Sequence, residues 1–264
     1  TTTTRMVVEL LRGQGLKVFT NPTGSNFTRG VVAALLGAMP LNGRLDADVA
    51  VLELDEAHAT HFVRTVKPRA ALLLNVMRDQ LDRFGEIDYT ASLLHKVARA
   101  TTGTVVLNAD DPRLAAPSFR ADLRADVRGF AVSPQLRSVF LSDDELHDSL
   151  DGCTLGQPKK DAEAKADTKA EPTTETEPAA KPEPAEQPAQ PEPTEQPAQP
   201  LEIVATLEEM MGRHAVIDLA GHRHEVDFAI PGAHNILNAT AAMGLVKELL
   251  GERTDEQALA ASAA

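Results

Sequence analysis

The segment from Asn75 to Arg83 carries the residue types best suited to chemistry. It follows the apolar run of residues 70–74 and holds two carboxylates, two amides and two guanidinium groups. An apolar run that ends in polar residues is typical of a buried parallel strand, and ligands bind at the carboxyl edge of open α/β sheets. Asp79 and Asp82 could there organise a metal ion or a reacting phosphate. A solvated loop that caps the next helix has the same composition, so the segment alone leaves both interpretations open.

Strands and helices alternate around this segment. Strands are predicted over residues 16–20, 48–54, 70–75 and 104–107, and helices near residues 29–36, 57–66 and 89–100. Near the C-terminal end, a hairpin of residues 214–219 and 224–228 around Ala220-Gly221-His222 precedes a helix over about 235–250. Apolar strands that alternate with helices predict an α/β fold, with a mainly parallel sheet covered by helices on both faces.

Composition limits the classes of function. The 264 residues suffice for one large domain or two small ones, and the net charge of −13 argues against a general nucleic-acid binder. Cys153 is the single cysteine, which excludes an internal disulfide framework and a Cys-rich zinc site. The sequence shows no membrane-spanning run and no signal peptide, so we expect a cytoplasmic protein. Because the first residue is Thr1, we expect the natural start to be missing.

Residues 157–200 differ from the rest of the chain. They are rich in Pro, Glu, Ala, Lys and Thr, and residues 182–190 are nearly repeated in residues 191–199. A segment so poor in large apolar side chains cannot offset the entropy of ordering, so we expect a disordered acidic insertion. The prolines could instead dock a partner, but the segment has no aromatic or basic anchor, which favours a spacer.

The chain begins with four threonines, and Val7, Leu10 and Leu11 follow at helical spacing. A helix that starts here would offer hydroxyls and free backbone N–H groups to an anion or to hydrated Mg²⁺. Plain helix capping explains the threonines equally well. A Gly-x-x-Gly-Lys sequence just upstream would complete a phosphate-binding loop.

Five motifs together resemble the central, P-loop ATPase domain of the Mur ligases, and within that superfamily the MurT branch. In chain order they are Thr1–Met6, Glu53–Glu56, Asn75–Arg83, Asn108–Pro112 and Gly232–Ala239. The likeness covers residues 1–133 and 203–251. It implies a first domain part over residues 1–156 with a truncated phosphate loop, the insertion 157–200, and a second part over residues 201–264. It also implies that the C-terminal domain of the family is absent.

The resemblance assigns roles to individual residues. Thr1 and Glu53 would bind the Mg²⁺ of ATP, with Thr2 near the phosphates, and Asp79 and Asp82 would organise the metal or the reacting phosphate. Contacts to the nucleotide are implied for five further residues, with Asn238 reading adenine: Asn75, Asn108, His234, Asn235 and Asn238. Each assignment has a plainer alternative. Glu53 could simply end a strand, Asn235 could cap a helix, and Asn108, Asp110 and Asp111 could form an Asx-Pro turn.

The activity implied is ATP-dependent amidation of the D-glutamate α-carboxylate of lipid II, through an acyl phosphate, with ammonia from a GatD-type glutaminase. Many amino-acid-adding members of the family have His at the position of Gln80 and a carbamylated Lys near the position of Leu93. This sequence has neither, which suits the MurT branch. Because Cys153 is alone, the branch's four-Cys zinc ribbon is not expected. The resemblance places the protein at the inner face of the membrane with lipid II, and the 264-residue piece is expected to be inactive alone. Alternatives are a folylpolyglutamate or cyanophycin synthetase type of ligase, or an inactive nucleotide-binding module.

Overall fold

The computed structural model describes residues 2–21, 25–76, 86–140 and 200–264. Helix α1 (Thr2–Gly13) leads to strand β1 (Val18–Thr20), which pairs in parallel with β2 (Val49–Val51). Helix α2 (Thr28–Ala38) connects these two strands, and α3 (Glu56–Thr65) follows β2. The predictions for Thr1, for Asp79 and Asp82, and for the insertion up to residue 199 lie outside the described residues. The predicted division of the chain at residues 156 and 200 therefore stays a prediction.

A six-stranded sheet forms the centre of the fold. Its spatial order is β3 (Ala70–Leu73), β4 (Thr104–Asn108), β5 (Asp126–Val132), β6 (Glu202–Met211), β7 (His214–Leu219) and β8 (His222–Asp227). The first four strands are mutually parallel, and the last three form an antiparallel meander. The other helices of the described residues are α4 (Glu86–Ala100), α5 (Pro117–Arg120), α6 (Ala233–Leu250) and α7 (Glu256–Ala263), with short 3₁₀ turns at Arg137–Val139 and Gly251–Arg253.

Helices cover both faces of this sheet, as the sequence predicts, and β4 shows why. Its Val106 belongs to the core shared with α1 and α6, whereas its neighbours Val105 and Leu107 belong to the core on the opposite face, beside α4. Side chains of successive strand residues point to opposite faces, so an apolar run buries both. The fold class is therefore confirmed.

Helix α6 is packed closely against β6. All residues from Ala239 to Val246 are buried, so the helix has no solvated face in its middle. A Cβ added at Gly244 would lie 3.0 Å from the Cβ of Ala205. The small residue thus permits a close approach of helix and strand in the core. Among the described residues, no helix has the length and apolarity needed to cross a membrane.

The hairpin differs from its prediction by two residues. β8 begins at His222, and the turn consists of Ala220 and Gly221, with φ of 53° and 90°. Two central residues with positive φ are typical of the type I′ turn, whose twist matches that of the flanking strands. The prediction placed His222 in the turn, whereas it is the first residue of β8.

Helix α7 is tied to three other elements by polar contacts. The Gln14 side-chain amide exchanges two hydrogen bonds of 2.9 Å with the backbone of Asp255, just before α7. The Glu256 carboxylate contacts Lys247 Nζ on α6 and accepts from His222 Nδ1 on β8 at 2.7 Å. At the far end, Ala229 N–H donates to the Ala264 carbonyl at 2.7 Å. These contacts hold α1, α6 and the hairpin in one arrangement.

The Glu256 contacts predict a loss of stability in acid. Burial alone would raise the pKa of the Glu256 carboxyl, but hydrogen bonds and charge from Lys247 and His222 outweigh it and lower the pKa from 4.5 to about 2. A carboxyl whose pKa is depressed by folding stabilises the protein above its unfolded pKa, and that stabilisation disappears as pH falls toward the folded pKa. Allowing for solvent screening, the contribution is about 1–3 kcal/mol.

Urea unfolding at several pH values tests this expectation. Glu256→Gln should lower the free energy of unfolding most above pH 4.5, and the difference from wild type should shrink as pH approaches 2. Glu225→Gln, at an exposed position of β8, serves as the control. If Glu256→Gln lowered the free energy of unfolding by the same amount from neutral pH down to acid, this role of Glu256 would be contradicted.

Candidate functional site

Polar residues follow the carboxyl ends of strands in both sheets, and ligands bind at this edge in open α/β sheets. Glu53 lies two residues beyond the end of β2, Asn75 lies two residues beyond β3, and Asn108 is the last residue of β4. Glu53 is partly buried, whereas Asn75 is exposed. Thus three of the residues selected from the sequence lie at strand ends on the carboxyl side.

The chain direction brings two helix N-termini to the same side. β8 runs parallel to β6, because each is antiparallel to β7, so the chain leaves β8 at the carboxyl edge and enters α6 there. α1 packs against β1 and ends just before that strand starts, so its first residue, Thr2, lies at the opposite, carboxyl end. Gln14 lies just after α1, and Asp255 lies after the end of α6. The hydrogen bonds between these two residues show that α1 and α6 end on the same side, so the two helices also begin on the same side.

The start of α6 contains three candidate nucleotide contacts. Gly232 precedes the helix with a φ of 113°, and the Asn235 side chain donates to the Pro231 carbonyl at 2.8 Å. The His234 ring packs edge to face against Phe140, with 5.7 Å between ring centroids. Asn238 is partly buried one turn further on. Gly232 holds the N-cap position and no side chain caps this helix, but the Asn235 amide is satisfied locally by the Pro231 carbonyl, so its nucleotide contact stays a prediction.

Three Asn and Asp side chains, of which Asp111 is buried, hold the ends of β4 and β5 and the residue Val76 in place. The Asp111 carboxylate, 7% exposed, accepts hydrogen bonds from Val76 N–H at 2.7 Å, Arg113 N–H at 2.9 Å and Leu114 N–H at 3.0 Å. Asp110 accepts from Val132 N–H at 2.7 Å, and thereby joins the loop after β4 to the end of β5. Asn108 accepts from Asp110 N–H at 2.9 Å. These are the contacts of an Asx turn with two added links to neighbouring strands.

Asn21 is a residue whose importance the sequence did not reveal. Its side chain is 6% exposed and bonds both backbone groups of Glu53. Asparagine next to proline is typical of a turn, and Asn21 precedes Pro22. Its long-range partner is visible only in the folded chain.

The donor set at this edge fits a nucleotide-bound Mg²⁺. Among residues 2–21, 25–76, 86–140 and 200–264, no group of three or more His, Cys, Asp or Glu side chains could by itself hold a metal ion. Mg²⁺ in phosphate-transfer sites takes only one or two protein oxygens and completes its shell with phosphates and water. Glu53 offers a partly buried carboxylate, and Thr2 lies at the positive end of α1, which suits phosphate.

The chain matches the Mur ligase middle domain over residues 1–161. This match covers more than half of the chain, so the chain belongs to the Mur ligase middle domain family.

Two MurT subunits are among its curated relatives. It is 35% identical over 120 residues to the lipid II isoglutaminyl synthase (glutamine-hydrolyzing) subunit MurT of Streptococcus pneumoniae, covering 45% of this chain and 26% of the relative. The same subunit of Staphylococcus aureus is 30% identical over 112 residues, covering 42% of this chain and 25% of the relative. The matched part thus spans about a quarter of the length of these relatives.

Solved Mur ligases share the fold. MurF of Acinetobacter baumannii superposes with a TM-score of 0.62 at 15% identity, over 100% of this chain and 42% of that one. MurF ligase of Thermotoga maritima in complex with ADP gives a TM-score of 0.57 at 15% identity, over 98% of this chain and 45% of that one. At this level of identity the likeness establishes the fold.

Proposed function

We propose that this chain is the nucleotide-binding part of an ATP-dependent ligase that amidates the α-carboxylate of D-glutamate in lipid II to D-isoglutamine. The observation that carries the proposal is the 35% identity over 120 residues to a MurT subunit. Membership of the Mur ligase middle domain family supports ATP and Mg²⁺ as the cofactors. The polar carboxyl edge of the sheet is a suitable place for both.

In this proposal the residues divide into three groups. Glu53 and Thr1 hold Mg²⁺, with Thr2 at the N-terminus of α1 beside the phosphates. Asp79 and Asp82, in the segment after β3, organise the reacting phosphate. The remaining polar residues contact the nucleotide from the strand ends and from α6: Asn75, Asn108, His234, Asn235 and Asn238. Mg²⁺, when bound, would neutralise charge on the phosphate oxygens.

The chemistry proposed has two steps. The substrate carboxylate oxygen attacks the γ-phosphorus of ATP, the bond from that phosphorus to the β–γ bridging oxygen breaks, and ADP leaves. Ammonia then attacks the acyl carbon of the resulting acyl phosphate, loses a proton and expels inorganic phosphate. Such transfers depend mainly on positioning and on charge stabilisation, which the carboxylate and helix N-termini at this edge are suited to supply.

The ammonia source in the proposal is a GatD-type glutaminase subunit. It is supported by the names of the MurT relatives, which describe a glutamine-hydrolysing synthase made of subunits. Free ammonium should replace this partner at high concentration, because the ligase step uses ammonia itself. Lipid II as substrate would bring the protein to the cytoplasmic face of the membrane.

The proposal is tested with the full-length protein, lipid II and ATP. We expect mass spectrometry to show conversion of the stem-peptide carboxylate to a carboxamide, with glutamine plus the glutaminase or with ammonium chloride alone. Omitting ATP or Mg²⁺ should abolish the product. If the protein binds ATP but forms no amide with either ammonia supply, the assigned substrate is wrong.

A second candidate is amino-acid addition to a UDP-linked precursor. The UDP-N-acetylmuramoylalanine–D-glutamate ligase of Pelotomaculum thermopropionicum is 29% identical over 155 residues, which covers 58% of this chain and 31% of that enzyme. The same assay with UDP-N-acetylmuramoyl-alanine and D-glutamate distinguishes the two activities. Product formed only from these substrates would favour the second candidate.

A further inference from the structure

We propose that Asn21 is a positioning residue for Glu53 and thereby sets the affinity of the site for the nucleotide's divalent cation. This inference rests on the metal role proposed for Glu53, but it does not depend on which carboxylate is amidated. Asn21 follows the last residue of β1, and Glu53 lies two residues beyond β2.

The Asn21 side chain uses both of its N–H donors and its carbonyl oxygen in three hydrogen bonds. Its Oδ1 accepts from Glu53 N–H at 3.0 Å, and its Nδ2 donates to the Glu53 carbonyl at 2.9 Å and to the Ser25 carbonyl at 2.8 Å. The amide has two N–H donors and one carbonyl oxygen, so the set of partners matches its chemistry. The side chain is 6% exposed, which makes each of these bonds costly to lose.

These bonds continue the parallel pairing of β1 and β2 beyond its end. The backbone pairing runs from Val18 with Val49 to Thr20 with Val51. At Asn21, the first residue after β1, the side chain replaces the backbone and bonds both backbone groups of Glu53. The Glu53 backbone is therefore held in place by a buried side chain.

The contacts also explain why aspartate is a poor substitute. In Asn21→Asp, a carboxylate oxygen would face the carbonyls of Glu53 and Ser25, where the wild type has N–H donors. Two attractive contacts would become repulsive, while the contact to Glu53 N–H could persist. The end of β2 would have to move away, and the Glu53 carboxylate would move with it.

The experiment measures binding of Mn²⁺, as a probe for Mg²⁺, to the full-length protein in the presence of ADP. Electron paramagnetic resonance reports the free metal ion, so no turnover is required. Changes in groups that orient a metal ligand typically lower metal affinity about 10- to 100-fold, and we expect Asn21→Asp to weaken Mn²⁺ binding by about tenfold or more. Glu53→Gln should weaken it at least as much.

Asn42→Asp is the matched control, because Asn42 is exposed and its Oδ1 accepts from the local Arg44 N–H at 3.0 Å. Its Mn²⁺ affinity should equal that of wild type. Circular dichroism confirms that each variant is folded; if Asn21→Asp is not, Asn21→Ser, which adds no charge, takes its place. Amide exchange of Glu53 N–H, measured by NMR, should be faster in the Asn21 variant than in wild type.

A folded Asn21 variant with wild-type Mn²⁺ affinity would overturn the inference. So would weakened binding in that variant combined with normal binding in Glu53→Gln, because Asn21 would then act through another group. Failure of the wild type to bind Mn²⁺ with ADP would overturn the metal role of Glu53 together with this inference. Failure of lipid II amidation alone, with Mn²⁺ binding intact, would overturn only the assigned substrate.

Discussion

Glu53→Ala in the full-length protein is expected to lower the ligase rate by about 10²-fold or more, the typical cost of losing one electrostatic contact to the transition state. The substitution removes the carboxylate proposed to hold Mg²⁺ at the end of β2. Glu53 is only partly buried, so the core should keep its packing. Asp79→Asn is expected to have an effect of similar size, because it removes charge that would organise the reacting phosphate.

The measurement is ATP-dependent amide formation in lipid II, followed by mass spectrometry. Glu56→Ala is the matched control: Glu56 is exposed in the first turn of α3, three residues along the chain, and its loss should leave the rate nearly unchanged. Thermal unfolding of each variant separates loss of activity from loss of fold. Undiminished turnover by Glu53→Ala would refute its metal role.

Asp111→Ala is expected to destabilise the protein by about 3 kcal/mol or more, since each hydrogen bond to a charged group contributes roughly 1.5–3 kcal/mol and a buried donor left unpaired adds a penalty. The Asp111 carboxylate accepts from three backbone N–H groups and is 7% exposed. It joins the loop after β4 to Val76, which lies three residues before Asp79 in the chain. The ligase rate should therefore fall together with the free energy of unfolding.

Urea unfolding compares this variant with two others. Asp111→Asn keeps one carbonyl oxygen and should cost less than the alanine change. Asp46→Ala removes an 81% exposed carboxylate that pairs with Lys17, and such surface pairs contribute little to stability. Equal stability of Asp111→Ala and Asp46→Ala would show that the Asp111 contacts do not stabilise the folded state.

The sequence correctly predicted those strands and helices whose local hydrophobic pattern matches their burial in the fold. β3 and β4 are short apolar runs buried in a parallel sheet, and α6 is apolar on every side of its middle because it lies in the core. β5 and β6 were not predicted. β5 contains Asp126, Arg128 and Gly129, and β6 mixes Thr and Glu with apolar residues, so neither shows a continuous apolar run. Each is a strand because both of its neighbours in the sheet pair with it.

The motifs made the family recognisable, because phosphate and metal chemistry requires particular residue types in a fixed order along the chain. That order selected Glu53, Asn75 and Asn108, which the structure places at strand ends. The sequence could not show which polar groups hold those ends in place. Asn21 and Glu53 are separated by 32 residues, and Asp111 and Val76 by 35.

Local composition therefore determined the class of fold and the residue types available for chemistry, because the hydrophobic pattern of each strand or helix is carried by residues that are adjacent in the chain. Tertiary structure decided which side of the sheet receives the N-termini of α1 and α6, because this depends on the direction of every strand between them. It also decided the roles of Asn21 and Asp111. A buried amide or carboxylate is stable only where its hydrogen-bond partners converge, and those partners come from distant parts of the chain.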